Sequence, residues 1–400
     1  MSTGTGAGGE PEAAIDVERV RDETAGCVDT IHFNNAGCSL AADPVFHAVV
    51  DHLELERRIG GYEAAERAAG RIRNTYEALA RLLNCGPDEI ACVENATRAW
   101  DMAFYAFAFR PGDRILTGRS EYASNYIAFL QTARRCGVAI DVVPDDETGQ
   151  LSLGALEEMI DDRVKLIAIT HVGTQSGLVN PAAGVGRIAR AHGIPFLLDA
   201  CQSVGQMPID VEAIGCDILS ATGRKYLRGP RGTGFLYVRG ALIENLEPPF
   251  LDLHAATWTG ANAFEIRPGA QRFETYENYV AGRIGLGVAA DYACDLGLDP
   301  IAHRVRRLAA TLRDGLSALS GVTVRDRGAE LCGIVTFTKD GEAASAIRRR
   351  LARHRINVSV SVVAAARLDL EARGLSELVR ASVHYYNTEE EIAGFLAALV

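Results

Sequence analysis

From about Gly86 onward the chain alternates short apolar runs with longer amphipathic ones, and that alternation restricts the fold more than any other feature. The apolar runs read as strands at Glu89–Val93, Asp113–Leu116, Ala139–Val143, Leu166–His171, Pro195–Asp199, Asp217–Ala221 and Thr233–Val238. Between several of them lie helical stretches, such as Pro181–His192 with Val185, Ile188 and Ala189 on one face. Strand–helix–strand order predicts an α/β protein with a mostly parallel seven-stranded sheet covered by helices. With 400 residues, 48% of them hydrophobic, the chain exceeds what one compact domain usually holds.

The pattern breaks at Glu244–Gly269, which reads as a loop because of Pro248, Pro249, Gly260, Pro268 and Gly269. A long helix is expected from about Tyr279 to Leu296. Beyond Pro300 the chain reads as a smaller α+β unit. Its helices fall at Ile301–Leu319 and Glu342–His354, its strands at Gly321–Asp326, Gly333–Thr338 and Leu378–Val383, and a closing helix runs from Thr388. The expected division is a disordered tail over 1–17, a large domain over 18–275, and a linking helix with a small C-terminal domain over 276–400. The N-terminal segment of the large domain is also able to pack on the small one.

The net charge of −11 argues against nucleic acid and anionic membranes as partners. No apolar run approaches transmembrane length. Met1–Ala14 is Gly- and Ala-rich and lacks the pattern of a signal peptide. The nine cysteines are scattered without metal-ligand spacing, and an odd number cannot pair completely, so reduced thiols in a cytoplasmic setting are expected and no metal site.

The chemistry concentrates at two strand ends. Phe196-Leu197-Leu198-Asp199-Ala200-Cys201-Gln202 delivers an acid at the end of one strand, and Ser220-Ala221-Thr222-Gly223-Arg224-Lys225 brings a lysine just past another. Ligands of open α/β sheets bind outside the carboxyl ends of the strands. This pair suits pyridoxal 5'-phosphate (PLP): a carboxylate stabilises the protonated pyridine nitrogen, and a lysine supplies the amine for the aldehyde. Taken singly, Asp199 reads equally as a turn cap and Lys225 as a surface side chain. Asn95-Ala96-Thr97-Arg98 follows a strand and opens an apolar helix, which makes an anion site for the phosphate or an ordinary N-cap. Thr222 and Arg224 add a hydroxyl and a charge-assisted contact. Arg380, inside the apolar run Leu378–Val383, is either a clamp for a substrate α-carboxylate or half of a structural ion pair.

These motifs resemble those of the class V aminotransferases, the branch of fold-type I PLP enzymes that includes cysteine desulfurases, selenocysteine lyases and isopenicillin N epimerase-like proteins. The resemblance runs from about His32 to the C-terminus. It rests on Phe33-Asn34-Asn35-Ala36-Gly37, Asn95-Ala96-Thr97, His171-Val172-Gly173-Thr174, Asp199–Gln202, Thr222–Lys225, Arg272-Phe273-Glu274 and Val379-Arg380-Ala381-Ser382. It implies that Lys225 and Asp199 are catalytic and hold PLP. It assigns Gln202 to the ring hydroxyl, Tyr122 to stacking on the ring, and Ala96, Thr97 and Thr222 to the phosphate. Arg224, Thr174 and Asn278 are expected to contact the cofactor, and Arg380 and Asn35 the substrate. The resemblance also implies a homodimer in which the Arg272–Asn278 region reaches the partner's cofactor.

The chain departs from the family pattern in four places. Arg224 replaces the usual His before the lysine, and Thr174 stands where many members have Asn. Glu277 occupies the position of a phosphate-binding hydroxyl. The loop that carries the nucleophilic thiol of desulfurases is here Ser359–Arg367, which has no cysteine. On that last ground the expected reaction is β-elimination, cleaving the C–S bond of an S-substituted cysteine conjugate. Within the branch the chain looks like bacterial natural-product enzymes, including lincosamide-pathway members acting on S-cysteinyl intermediates, hence antibiotic biosynthesis. The alternatives are decarboxylation-coupled oxidative deamination, an aminotransferase or an epimerase, with a desulfurase disfavoured. A PLP-binding regulator, which usually appends a DNA-binding module, is disfavoured because the N-terminal tail is short and acidic.

Overall fold

A computed structural model describes residues 14–400; of the tail expected over 1–17, residues 1–13 lie outside the described residues, while Asp16 caps a helix that begins at Val17 and so belongs to the folded part. The large sheet has seven strands: β1 Ile90–Val93, β2 Arg114–Thr117, β3 Ala139–Val142, β4 Val164–Thr170, β5 Phe196–Asp199, β6 Ile218–Thr222 and β7 Gly234–Val238. Their order across the sheet is β1-β7-β6-β5-β4-β2-β3. All neighbours are parallel except β7, which runs antiparallel to both β1 and β6. Each strand lies within two residues of its sequence-based position, because a sheet buried on both faces needs continuous apolar runs. On β4, Leu166 and Ala168 enter one core cluster while Ile167 and Ile169 enter the other. Leu197 of β5 is likewise separated from Phe196 and Leu198, as the two-residue pleat requires.

Helices fill both faces. Ala96–Phe104 and Ala123–Cys136 lie on one, where Trp100, Phe104 and Phe129 interlock. Phe104 meets Phe129 edge to face at 5.3 Å between centroids. The expected long helix is present as Val280–Leu296 and packs on Asp43–Ile59 and Ala69–Leu83, two helices not resolved from the sequence. The approach is close enough to need glycine: a Cβ on Gly287 would fall 2.7 Å from Thr75 Oγ1 and 2.9 Å from Thr75 Cα.

The C-terminal unit has a four-stranded antiparallel sheet of β8 Val322–Val324, β9 Ile334–Lys339, β10 Ser359–Val362 and β11 Glu377–Ser382, in the order β8-β9-β11-β10. Leu298–Ser317, Ala344–Arg353 and Glu389–Ala397 supply its helices. Thr388 caps the last of these, accepting from Glu391 N at 3.2 Å. Ile31 and His32 pair in parallel with Ile356 and Asn357, so the N-terminal segment joins the small sheet's side of the molecule.

Two segments read as loops are partly strands. Ala256–Gly260 and Ala263–Ile266 form a hairpin inside Glu244–Gly269. Trp258 is 80% exposed and Phe264 55%, so the hairpin buries neither face and leaves no apolar–polar alternation to read. Ser359–Val362 is β10, an edge strand only partly covered. Among the described residues no helix is long and apolar enough to cross a membrane.

Candidate active site

The sheet register assembles the site. Thr170 pairs with Asp199, and Asp199 with Ser220, so three neighbouring parallel strands end at one level. A cavity of about 450 Å3 opens there. Asp199 and Lys225 line it together, as do Gln202, Tyr122 and Thr174. Ala96, Thr97, Thr222 and Arg224 line it as well.

Asp199 is buried. Its Oδ1 accepts from Cys201 N at 2.9 Å and its Oδ2 from Asn125 Nδ2 at 2.9 Å. Lys225 is reached through a turn that Gly223 makes possible: a Cβ there would lie 2.3 Å from Thr233 Oγ1. Desolvation lowers the Lys225 pKa, aided by Arg224 and Arg380 and opposed by Cys201 and Asp199. Among the described residues its amine forms no ion pair, which leaves it available as a nucleophile.

Asn95, also on the lining, caps the helix Ala96–Phe104 by accepting from Arg98 N at 2.9 Å. The N–H groups of Ala96 and Thr97 have no protein acceptor among the described residues, so cap and anion site coexist at one helix N-terminus. Thr222 Oγ1 donates to Thr233 O at 3.3 Å, and Arg224 Nη1 donates to Gly37 O. Gln202 donates to Ala36 O at 3.1 Å and to Thr174 Oγ1 at 3.4 Å, while its buried Oε1 has no partner. An unpaired lysine, a buried carboxylate, free helix N–H groups and an orphaned amide oxygen fit PLP: amine for the aldehyde, acid for the ring nitrogen, donors for the phosphate.

Arg380 is buried on β11. Its Nη1 donates to Thr174 O at 3.2 Å and to Thr174 Oγ1, and its Nη2 to Asn34 Oδ1 at 3.4 Å. Its Nε has no partner, and no carboxylate pairs with it among the described residues. Burial pulls its pKa down to about 10. The structural ion-pair reading of Arg380 is therefore not what the fold builds.

Three expected site residues are not on the lining of this cavity: Arg380, which stands against Thr174, Asn35, and Asn278, which the resemblance assigns to the partner's cofactor. Asn35 is fully buried and its amide is engaged: Nδ2 donates to Ser382 O at 2.8 Å and His32 O at 3.0 Å, and Oδ1 accepts from Tyr386. It ties the N-terminal segment to β11 and does not line the cavity. Asn278 lines a separate small cavity with Thr233 and Arg283, and donates to Tyr276 O at 3.0 Å. Conversely, Asn125, Thr170, Val172 and Cys201 line the site without having been singled out. Asn125 and Glu121 flank Tyr122 at helical spacing, a signal that was available in Glu121-Tyr122-Ala123-Ser124-Asn125.

The sequence model of the family described as Aminotransferase class-V matches residues 31–395. The chain belongs to the class V aminotransferase family. A probable cysteine desulfurase of Xylella fastidiosa is 34% identical over 381 residues, covering 92% of this chain and 90% of the relative. The apo structure of a cysteine desulfurase from Thermococcus onnurineus NA1 superposes with a TM-score of 0.90 at 26% identity, covering 98% of both chains. A mutant of C-DES with glycine covalently linked to its PLP cofactor shares the fold at a TM-score of 0.86 and 24% identity, covering 95% of this chain and 98% of its own. The fold is fold-type I and the protein is a PLP-dependent enzyme of this family.

These findings correct the expected function. Relatives of nearly full length, between 28% and 34% identical, are named probable cysteine desulfurases, which overturns the expectation of a secondary-metabolism lyase acting on S-substituted cysteine conjugates. The expectation leaned on a single missing thiol in a loop. The likeness to named desulfurases, by contrast, extends over 92% of the chain.

Proposed function

We propose that this enzyme is a cysteine desulfurase that passes sulfur to a thiol entering from outside the chain. The observation that carries the reading is Lys225 and Asp199 on the lining of one cavity, with Arg380 held against its Thr174 and given no carboxylate partner among the described residues. Likeness to named desulfurases along nearly the whole chain supports it.

In this reading Arg380 takes the α-carboxylate of cysteine in its planar fork, the pairing that no protein acid supplies. Thr174 Oγ1 and Asn34 Oδ1 hold the guanidinium in place. Asp199, fixed by Cys201 N and Asn125, would hold the ring nitrogen. The N–H groups of Ala96 and Thr97, with Thr222 and Arg224, would hold the phosphate, and Tyr122 would pack on the ring. When bound, PLP supplies the electron sink that labilises bonds at Cα. The Lys225 amine would carry the proton from Cα. The Cβ–S bond breaks, Cβ gains a proton, and the sulfur ends on the acceptor: cysteine + RSH gives alanine + RSSH.

The acceptor is external because Val363, Ala364, Ala365 and Ala366 occupy the loop between β10 and Arg367. Cys332 is buried in the core, and burial pushes the thiols of both Cys332 and Cys201 up in pKa, which keeps them protonated. Incubation of the holoenzyme with cysteine and dithiothreitol is expected to yield alanine and sulfide in equal amounts. Pyruvate and ammonia without alanine would contradict the reading. Arg380→Lys in the same assay is expected to raise KM by about tenfold or more, the loss of roughly one charge-assisted contact, while PLP stays bound. An unchanged KM would place the carboxylate elsewhere.

The reading includes a homodimer. Asn278, Tyr276 and Tyr279 lie together beside an open cavity that Tyr62 borders. Tyr62 is 75% exposed, as are Trp258 and Phe264 of the hairpin in large part, an apolar surface suited to burial against a second copy. Sedimentation at micromolar concentration is expected to show a dimer. A fully active monomer would contradict it.

A further inference from the structure

Behind the Asp199 carboxylate stands a second buried one. Glu121 is 4% exposed. It accepts from Thr117 Oγ1 at 3.0 Å, Tyr122 N at 2.8 Å, Asn125 Nδ2 at 2.9 Å and Thr170 Oγ1. Among the described residues it forms no ion pair with any cationic side chain. Four donors suit an ionised carboxylate, since a protonated acid would itself need an acceptor. The same Asn125 Nδ2 donates to Asp199 Oδ2 at 2.9 Å, so one amide bridges two acids with its two hydrogens. Elements from four places meet here: the ends of β2, β4 and β5 and the N-terminus of Ala123–Cys136.

We propose that Glu121 is a positioning residue: through the shared amide of Asn125 it fixes the orientation of Asp199 and places a second negative charge behind it, so that the pair keeps the PLP ring nitrogen protonated. The proposal rests on the reading of Asp199 and Lys225 as the PLP site. Two acids sharing an amide with no protein cation between them repel each other, and a cation at the open face of Asp199 relieves that repulsion. The protonated pyridine nitrogen is such a cation. Burial, with the charge of Asp199, lifts the Glu121 pKa to about 7 against the pull of its donors. This is the signature of a carboxylate held at some cost in the absence of a counter-charge.

The bland alternative is that Glu121 merely caps the helix Ala123–Cys136 through Tyr122 N. Glu121→Gln separates the two, because glutamine keeps the shape and the Oε1 acceptor for Tyr122 N, presents an N–H that the Thr117 hydroxyl can accept in place of Oε2, and removes the charge. The test is the 15N NMR signal of PLP labelled at its ring nitrogen, bound to the full-length protein, alongside the PLP dissociation constant. The unsubstituted protein is expected at the protonated position. Glu121→Gln is expected to move the signal toward the unprotonated position and to weaken PLP binding by about tenfold, the order for one nearby charge at an effective dielectric of ~20. Glu121→Asp, which keeps the charge, should stay close to the parent. Thr117→Val, which removes one neutral donor from Glu121, should move the signal the same way as glutamine but less, and it serves if Glu121→Gln does not fold. An unmoved signal in a folded Glu121→Gln protein, or equal shifts in Glu121→Gln and Glu121→Asp, overturns the proposal. An unprotonated signal, or no bound PLP, in the unsubstituted protein overturns the underlying site reading and is recognisable as such.

Discussion

Lys225→Ala is expected to leave a folded protein that retains at most loosely held PLP and has lost essentially all turnover, by about a thousandfold or more. Two contributions vanish together: the amine that attaches the cofactor and the base that moves the substrate proton, and proton transfer alone is worth ~10²–10⁴-fold. The fold should not suffer. Burial lowers the Lys225 pKa, so the charged amine is held at a cost in the folded state, and removing an unpaired buried cation relieves that cost. The melting temperature of the variant without PLP should equal or exceed that of the unsubstituted protein without PLP. Absorbance in the visible range and a thermal melt check both parts. A variant that turns over normally would remove Lys225 from the chemistry.

Asp199→Asn should act differently. The substitution keeps the size of the side chain and an oxygen to accept from Cys201 N, and gives up only the acceptor for Asn125 Nδ2, so the cavity wall survives. What is lost is the negative charge that stabilises the protonated ring nitrogen, and with it the electron sink. PLP should remain attached to Lys225 while turnover falls by about 10²–10³, the range for removing one preorganised electrostatic contact. The split between retained cofactor and lost rate is the diagnostic feature. Near-normal turnover in Asp199→Asn would mean that another group governs the ring nitrogen, and it would undercut the role given to Glu121 as well.

The fold was legible because its defining feature is local. Strands β4 and β5 are apolar on both faces, so their sequences are continuous runs whatever the surroundings. Asp199 and Lys225 were legible for the same reason: each sits at or just past the end of such a run. The hairpin Ala256–Ile266 was not, since its aromatic residues point away from any core within the chain. Nor was the role of Asn35, whose partners Ser382 and Tyr386 lie about 350 residues away in sequence. Glu121 and Asn125 carried a spacing signal, but their meaning depends on Asp199, brought alongside only by the strand register. The function misled because a missing thiol at one loop position is conspicuous in sequence, while the likeness of the remaining scaffold is spread thinly along hundreds of positions.

The account stands on PLP joined to Lys225 and facing Asp199, and one measurement reaches it directly. The purified protein is incubated with PLP, reduced with borohydride to make the link permanent, digested and mapped by mass spectrometry. The result expected is a single modified peptide carrying the reduced cofactor on Lys225, with cysteine added before reduction abolishing the label as the substrate displaces the lysine. A label on any other lysine, or one that cysteine leaves untouched, would contradict the account.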